Sequence, residues 1–276
     1  MKAIRGFVVA GAVVQGTRHL ASGRGCQDAF KSAVTAEGEA VVLAVADGAG
    51  SRDRSSLGAH LAVDLACRVL GEGVPEVSQG AAAWTEWVSG RGGETVEGWR
   101  RAGAAVLNSG EGQGSSPELG ALASTLVAAV VRPPWAAFLS VGDCIAAVLT
   151  RDTQAAAPAE RCHLVVPPPA PEGGTVFLSS PGAALRVRTF ALWDPELSGV
   201  VLASDGVVPL ALDHPAVRGL PAAAGPLPSR RFFCGAAAAL RANGGDAEPL
   251  RALLSGPDAA RSGDDLTVVC ALTGGG

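Results

Sequence analysis

The stretch Val41–Ser51, VVLAVADGAGS, constrains this chain's fold more than any other. Val41–Ala46 is built wholly from Val, Leu and Ala, without polar alternation, as in a strand covered on both faces. A chain with such a strand needs a layer above its sheet and another below. The run then stops at Asp47-Gly48. A carboxylate at the end of a buried strand is costly to desolvate unless it is paired or holds a cation. A glycine beside it lets the backbone come close to whatever the carboxylate binds.

The pattern recurs. Val200–Ser204 runs into Asp205-Gly206, and Phe138–Gly142 runs into Asp143. Gly263-Asp264-Asp265 precedes the apolar run Leu266–Leu272, and Gln27-Asp28 stands near the start. Each alone reads as a strand followed by a tight turn. Together they deliver acids from separate segments, as hard cations such as Mg²⁺ or Mn²⁺ require.

Composition narrows the function classes. Hydrophobic residues are 48% of the 276, enough for a sizeable core, and charged residues only 17%. The net charge of −4 and the lack of a basic run give nucleic acid or an anionic membrane no attraction. No stretch reaches the ~18 to 20 apolar residues that span a bilayer. Gly6–Val14, after Lys2 and Arg5, reads as a first strand rather than a signal peptide. The six cysteines form no CxxC pair, and the four histidines have no zinc-ligand spacing. We therefore expect reduced thiols in a cytoplasmic protein.

The periodicities predict a strand over 6–17, a polar loop over 19–25, and a hairpin of 30–35 with 40–46. Ser55 or Ser56 caps a helix running to Leu70. A helical region over 75–114 is broken at Gly90–Gly93, with its tryptophans in the core, and ends in a polar loop over 110–117. Strands follow over 124–131 and 135–150, the latter one strand or a bent pair. An exposed turn over 151–161 and a Pro-rich loop over 167–174 come next, then short strands over 175–178, 185–190 and 199–203. Helices over 207–212, 229–242 and 246–254 precede the closing strand from Asp264-Asp265. Runs of strands alternating with runs of helices indicate an α+β fold. A four-layer α-β-β-α sandwich, two mainly antiparallel sheets with helices outside, would bury such strands. No internal repeat or linker divides residues 1–276, so one domain is expected.

The set Gln27-Asp28, Asp47-Gly48, Ser124-Thr125, Gly142-Asp143, Asp205-Gly206 and Gly263-Asp264-Asp265-Leu266-Thr267 resembles the metal-dependent Ser/Thr protein phosphatases of the PP2C, or PPM, family. Arg18-His19 and Cys26-Gln27-Asp28-Ala29 resemble the signature of its compact bacterial branch. The resemblance implies two or three Mn²⁺ or Mg²⁺ ions at one end of a β-sandwich. Asp47 would bridge two ions, Asp205 and Asp264 would complete the first, and the Gly48 carbonyl would serve the second. Asp143 with Asp205 would hold a third. Asp28 would orient a water from behind the ligands, where Gln27 and Asp265 would also stand. The catalytic set would thus be Asp28, Asp47, Asp205 and Asp264. The implied reaction is hydrolysis of phosphoserine or phosphothreonine by a metal-bridging hydroxide, without a covalent enzyme intermediate. The implied partners are a phosphorylated protein and a cognate Ser/Thr kinase.

Departures from the family pattern are visible. Gln27 replaces the Glu common in eukaryotic members, and Ala49 stands where they carry His. Gly23 occupies the position of their phosphate-binding Arg, leaving Arg24, one residue off register, or Arg18 for that role. The region of about 151–198 is short for a substrate-selecting flap. A catalytically weak or inactive module that binds a phosphoprotein is therefore the alternative. Hydrolysis of small phosphate esters is a third reading.

Overall fold

The structure is a computed structural model, and it describes residues 6–108, 118–154, 159–169 and 174–274. The polar loop expected over 110–117 lies wholly outside the described residues, as do parts of the turn over 151–161 and the loop over 167–174.

The described residues build two five-stranded antiparallel sheets. The first holds β2 (Ala29–Val34), β3 (Val41–Ala46), β4 (Leu126–Arg132), β5 (Trp135–Val141) and β8 (Arg188–Trp193), in that order. The second is ordered β1 (Phe7–Val14), β12 (Leu266–Thr273), β9 (Leu197–Ala203), β6 (Ile145–Arg151) and β7 (Glu160–Val166). A small ribbon of β10 (Leu212–Asp213) and β11 (Leu227–Pro228) stands apart. Helices are α1 (Thr17–Ala21), α2 (Ser55–Leu70), α3 (Ala81–Asn108), α4 (Val208–Ala211), α5 (Arg230–Ala242) and α6 (Glu248–Leu254).

Three apolar layers explain the unalternating strands. Val41, Leu43 and Val45 point between the sheets with Val127, Phe138, Leu202 and Val269. Val42 and Ala44 point the other way, against α2 and α3. Sheet two buries Val201, Val268 and Leu272 against Phe232, Phe233, Leu240 and Leu250 of α5 and α6. All of β3, β4, β5 and β9 is buried, so neither face needs polar residues. The expected four-layer α+β sandwich is the fold observed.

Several local expectations are corrected. Residues 19–25 are not all loop, because 17–21 form α1. That helix buries no residue. It is held from outside, by Arg18 N donating to the Gly263 carbonyl. The break expected at Gly90–Gly93 does not occur, and α3 is continuous. Gly92 packs where a Cβ would lie 2.7 Å from Thr189 Cγ2, so it permits close approach to β8 instead. Trp84 and Trp99 of α3 are fully buried, as expected. The stretch 135–150 is two strands in different sheets, with the crossover at Gly142, whose φ is +99°. Residues 160–166 form the edge strand β7, which takes in the last two residues of the expected turn over 151–161. Residues 175–178 form no strand, and Leu178 N donates to the Ser124 carbonyl at the site end of the sheets.

Candidate metal centre

Register brings the acids to one end of both sheets. Ala29 pairs with Ala46, which sets Asp28 across from Asp47. Ile145 pairs with Ala203, which sets Asp143 across from Asp205. β12 begins just after Asp264-Asp265. Hence strands ending in acids (β3, β9) lie antiparallel to strands beginning with them (β2, β6, β12).

Carboxylate oxygens of Asp47, Asp143 and Asp205 lie within 4.8 Å of one another. Asp264 is outside that tight group, yet its charge acts on Asp205. Its Cβ also lies 3.3 Å from where a Cβ on Gly206 would sit. Asp28 is 5% exposed, and its charge acts on Asp47. Burial pushes Asp28 up to about 6, with Asp265 adding repulsion. Burial also carries Asp205 to about 7, helped by the charges of Asp143 and Asp264. Asp47 is held well above the ordinary carboxylate range by burial and by Asp28, Asp205 and Asp143. Asp28, Asp47, Asp143, Asp205 and Asp264, five acids, thus crowd a space that disfavours their combined negative charge.

The backbone around them is locked. Thr125 N donates to the Asp47 carbonyl at 2.8 Å, and Asp47 N donates to Thr125 Oγ1 at 3.1 Å. Gly48 N donates to the Gln27 carbonyl. A Cβ on Gly48 would sit 2.8 Å from both that oxygen and the Ser55 carbonyl, so only glycine fits. Thr175 Oγ1 donates to Asp143 Oδ2 at 2.7 Å. A cavity of about 330 Å³ opens here, bounded by Asp143, Asp205, Pro168, Pro169 and Thr175. Sequence reasoning missed Thr175 and the two prolines, since a loop residue carries no periodic signal.

Asp265 does different work. Its Oδ1 accepts from Gly16 N and its Oδ2 from Gln27 N, both at 2.7 Å, and His19 Nδ1 lies 2.9 Å from Oδ2. It ties the segment bearing Gln27-Asp28 to the start of β12. Gln27 is buried, and its amide donates to the Arg52 carbonyl. Ala49 is buried beside it. The two candidate phosphate-binding arginines are both engaged. Arg24 donates to the Gly50 carbonyl, and Arg18 to the Ser262 carbonyl at 2.6 Å.

These residues suit a divalent cation. The donors are hard oxygens at mutually compatible distances, and among the described residues the buried Asp28 Oδ2 and Asp143 Oδ1 have no hydrogen-bond donor. A cation would relieve the repulsion that lifts Asp47 and Asp205.

Comparison with known proteins agrees. The family model described as "Protein phosphatase 2C" matches residues 15–255. A search of the curated proteins finds no match. Among solved structures, the serine-threonine phosphatase 2C from Toxoplasma gondii is 14% identical, with a TM-score of 0.61, covering 99% of this chain and 96% of that one. The Mycobacterium tuberculosis serine/threonine phosphatase PstP/Ppp is 14% identical, with a TM-score of 0.59 and coverage of 98% and 99%. The catalytic domain of PstP in complex with two manganese ions is 17% identical, with a TM-score of 0.56 and coverage of 98% and 99%. At these identities the structural likeness speaks for the fold alone.

Proposed function

The chain belongs to the protein phosphatase 2C family, and from that premise we propose that it is a manganese- or magnesium-dependent protein serine/threonine phosphatase. The observation that carries this reading is the convergence of Asp47, Asp143 and Asp205 within 4.8 Å, at the mouth of a cavity. Asp47, Asp205 and Asp264, with the Gly48 carbonyl, would hold two ions, and Asp143 with Asp205 a third. When bound, such ions supply positive charge to the phosphoryl oxygens and lower the pKa of a shared water toward ~7.

The chain's own groups do the rest. Asp28, buried and unpaired at Oδ2, accepts a hydrogen bond from the attacking water and orients it. Asp265 keeps Asp28 in place through Gln27 N. Pro168, Pro169 and Val208 narrow the solvent around the reacting group. Arg24 or Arg18 would contact the substrate phosphate with the guanidinium nitrogens that their carbonyl partners leave over. Of the region of about 151–198, β7, β8 and the start of β9 belong to the central sheets, so only the connection between β7 and β8 would form a reduced flap within one domain, admitting an extended phosphopeptide. Its phosphoprotein would be made by a cognate kinase in the cytoplasm of a bacterium.

A second reading is a weak or inactive module that binds a phosphoprotein. The engagement of both arginines with backbone carbonyls favours it, as do Gln27 and Ala49. Phosphate release from a phosphothreonine peptide under Mn²⁺ titration, with an EDTA control, separates the two. Turnover that needs metal and falls at least ~10²-fold in Asp47→Asn supports the phosphatase. Folded protein without turnover at any metal concentration supports the binding module. Faster turnover of small phosphate esters than of peptides would move the substrate class.

A further inference from the structure

We propose that Cys162 and Cys234 form a site of reversible oxidation, closing a disulfide between β7 and α5 when a peroxide is present. The two cysteines lie far apart in sequence but meet because α5 covers the edge strand β7. Both side chains pack against the same apolar cluster, and each acts on the other's titration. Cys234 Sγ lies 3.6 Å from the Glu160 carbonyl, and Cys162 Sγ lies 3.9 Å from the Pro228 carbonyl. Both thiols are partly buried and free of any disulfide among the described residues. Cys234 also lines a cavity of about 650 Å³ on a different face from the acids. A small oxidant can therefore reach it.

Chemistry sets Cys234 apart from the other thiols. The Cys162 side chain and Arg230 beside it lower its pKa to about 7 against the opposing effects of burial and Glu160. The corresponding value for Cys162 is raised, first by the Cys234 side chain. Burial pushes Cys26, Cys67 and Cys270 up to about 12, and Cys144 also well up. Thiolate character and access decide which cysteine a peroxide attacks. Among the other charges lining the cavity, Arg241 pairs with Glu160, Asp152 pairs with Arg161, and Arg151 donates to Thr273 Oγ1. Arg230, which also donates to the Glu160 carbonyl, and Arg218 are the cations acting on the pair.

The step balances. The Cys234 thiolate attacks one peroxide oxygen, the O–O bond breaks, and the sulfur becomes a sulfenic acid as hydroxide takes up a proton and leaves as water. The Cys162 sulfur then attacks the Cys234 sulfur, its proton leaving with the displaced hydroxide as a second water. Two thiols lose two protons and two electrons, and one hydrogen peroxide becomes two waters.

The test is peptide mapping of the full chain after brief exposure to a small excess of hydrogen peroxide and quenching with N-ethylmaleimide. Expected is a linked peptide joining Cys162 and Cys234, two hydrogens lighter than the dithiol. It is reversed by dithiothreitol and absent from Cys162→Ser and Cys234→Ser. Without peroxide, Cys234 should alkylate with a pH midpoint near 7, ahead of Cys26. In Cys162→Ser, Cys234 should accumulate a dimedone-trappable sulfenic acid. Full alkylation of both thiols after peroxide overturns the proposal, as does a link to another cysteine or to a second chain. The wild-type map decides even where a serine variant fails to fold. The outcome does not depend on phosphatase activity.

Discussion

Asp264 and Asp265 are adjacent acids with separate tasks. Asp264 faces the acid cluster, whereas Asp265 turns inward and accepts two backbone N–H groups. Asp265→Ala would strand both donors in a buried place, at a cost of roughly 2–4 kcal/mol, and urea unfolding measures it. Loss of metal-dependent turnover should accompany it, because Asp28 loses its anchor. The raised acids also set a pH dependence. Asp28 and Asp205 bind protons in the folded state up to about 6 and 7, well above their unfolded range. Their contribution is therefore fully present below about pH 4 and is lost as pH rises through 6 to 7. Against acid effects elsewhere, the metal-free melting temperature should fall between pH 5.5 and 7.5. Added Mn²⁺ should restore more at pH 7.5 than at 5.5, and differential scanning calorimetry reads both. A metal-free protein equally stable at the two values would contradict the crowding of these acids.

At the scale of elements, α3 shows how a glycine run can read two ways. Gly90–Gly93 suggests a break because glycine weakens helices. The helix survives because Trp84, Val88, Val96 and Trp99 bury one face, and the ring of Trp84 stacks on Trp135 at 5.3 Å. Gly93 faces open space, while Gly92 lies against Thr189 and Val187. Gly93→Ala should therefore stabilise by about 0.5–1 kcal/mol through helix propensity. Gly92→Ala should destabilise by about 1–3 kcal/mol through overpacking against β8. Chemical denaturation of the two variants provides the comparison. α1 is the opposite case, a helix without apolar periodicity whose stability comes from contacts with the Gly263–Asp265 turn.

At the scale of the whole molecule, the three apolar layers are independent of the acids at their end. Chelation should thus remove turnover but not the fold. EDTA-treated protein should keep its far-ultraviolet circular dichroism and a cooperative unfolding transition. Added Mn²⁺ should raise the midpoint in proportion to the logarithm of its concentration. Collapse of the fold on chelation would show that the ions carry structure as well as chemistry.

The sequence by itself determined the layered fold and the common end of the acids. Unbroken runs such as VVLAVA have to be covered on both faces. An acid at each strand boundary is set by chain position alone, so Asp28, Asp47, Asp143, Asp205 and Asp264 were legible. Only the tertiary structure decided which oxygens come within 4.8 Å, that Asp265 serves as an anchor, and that Thr175, Pro168 and Pro169 bound the cavity. It likewise decided that Arg18 and Arg24 meet backbone carbonyls, and that Cys162 meets Cys234. The physical reason is that burial pattern is a local property, written in each strand's residues. Side-chain contacts depend instead on register, crossovers and turn geometry between segments that the chain order does not place side by side.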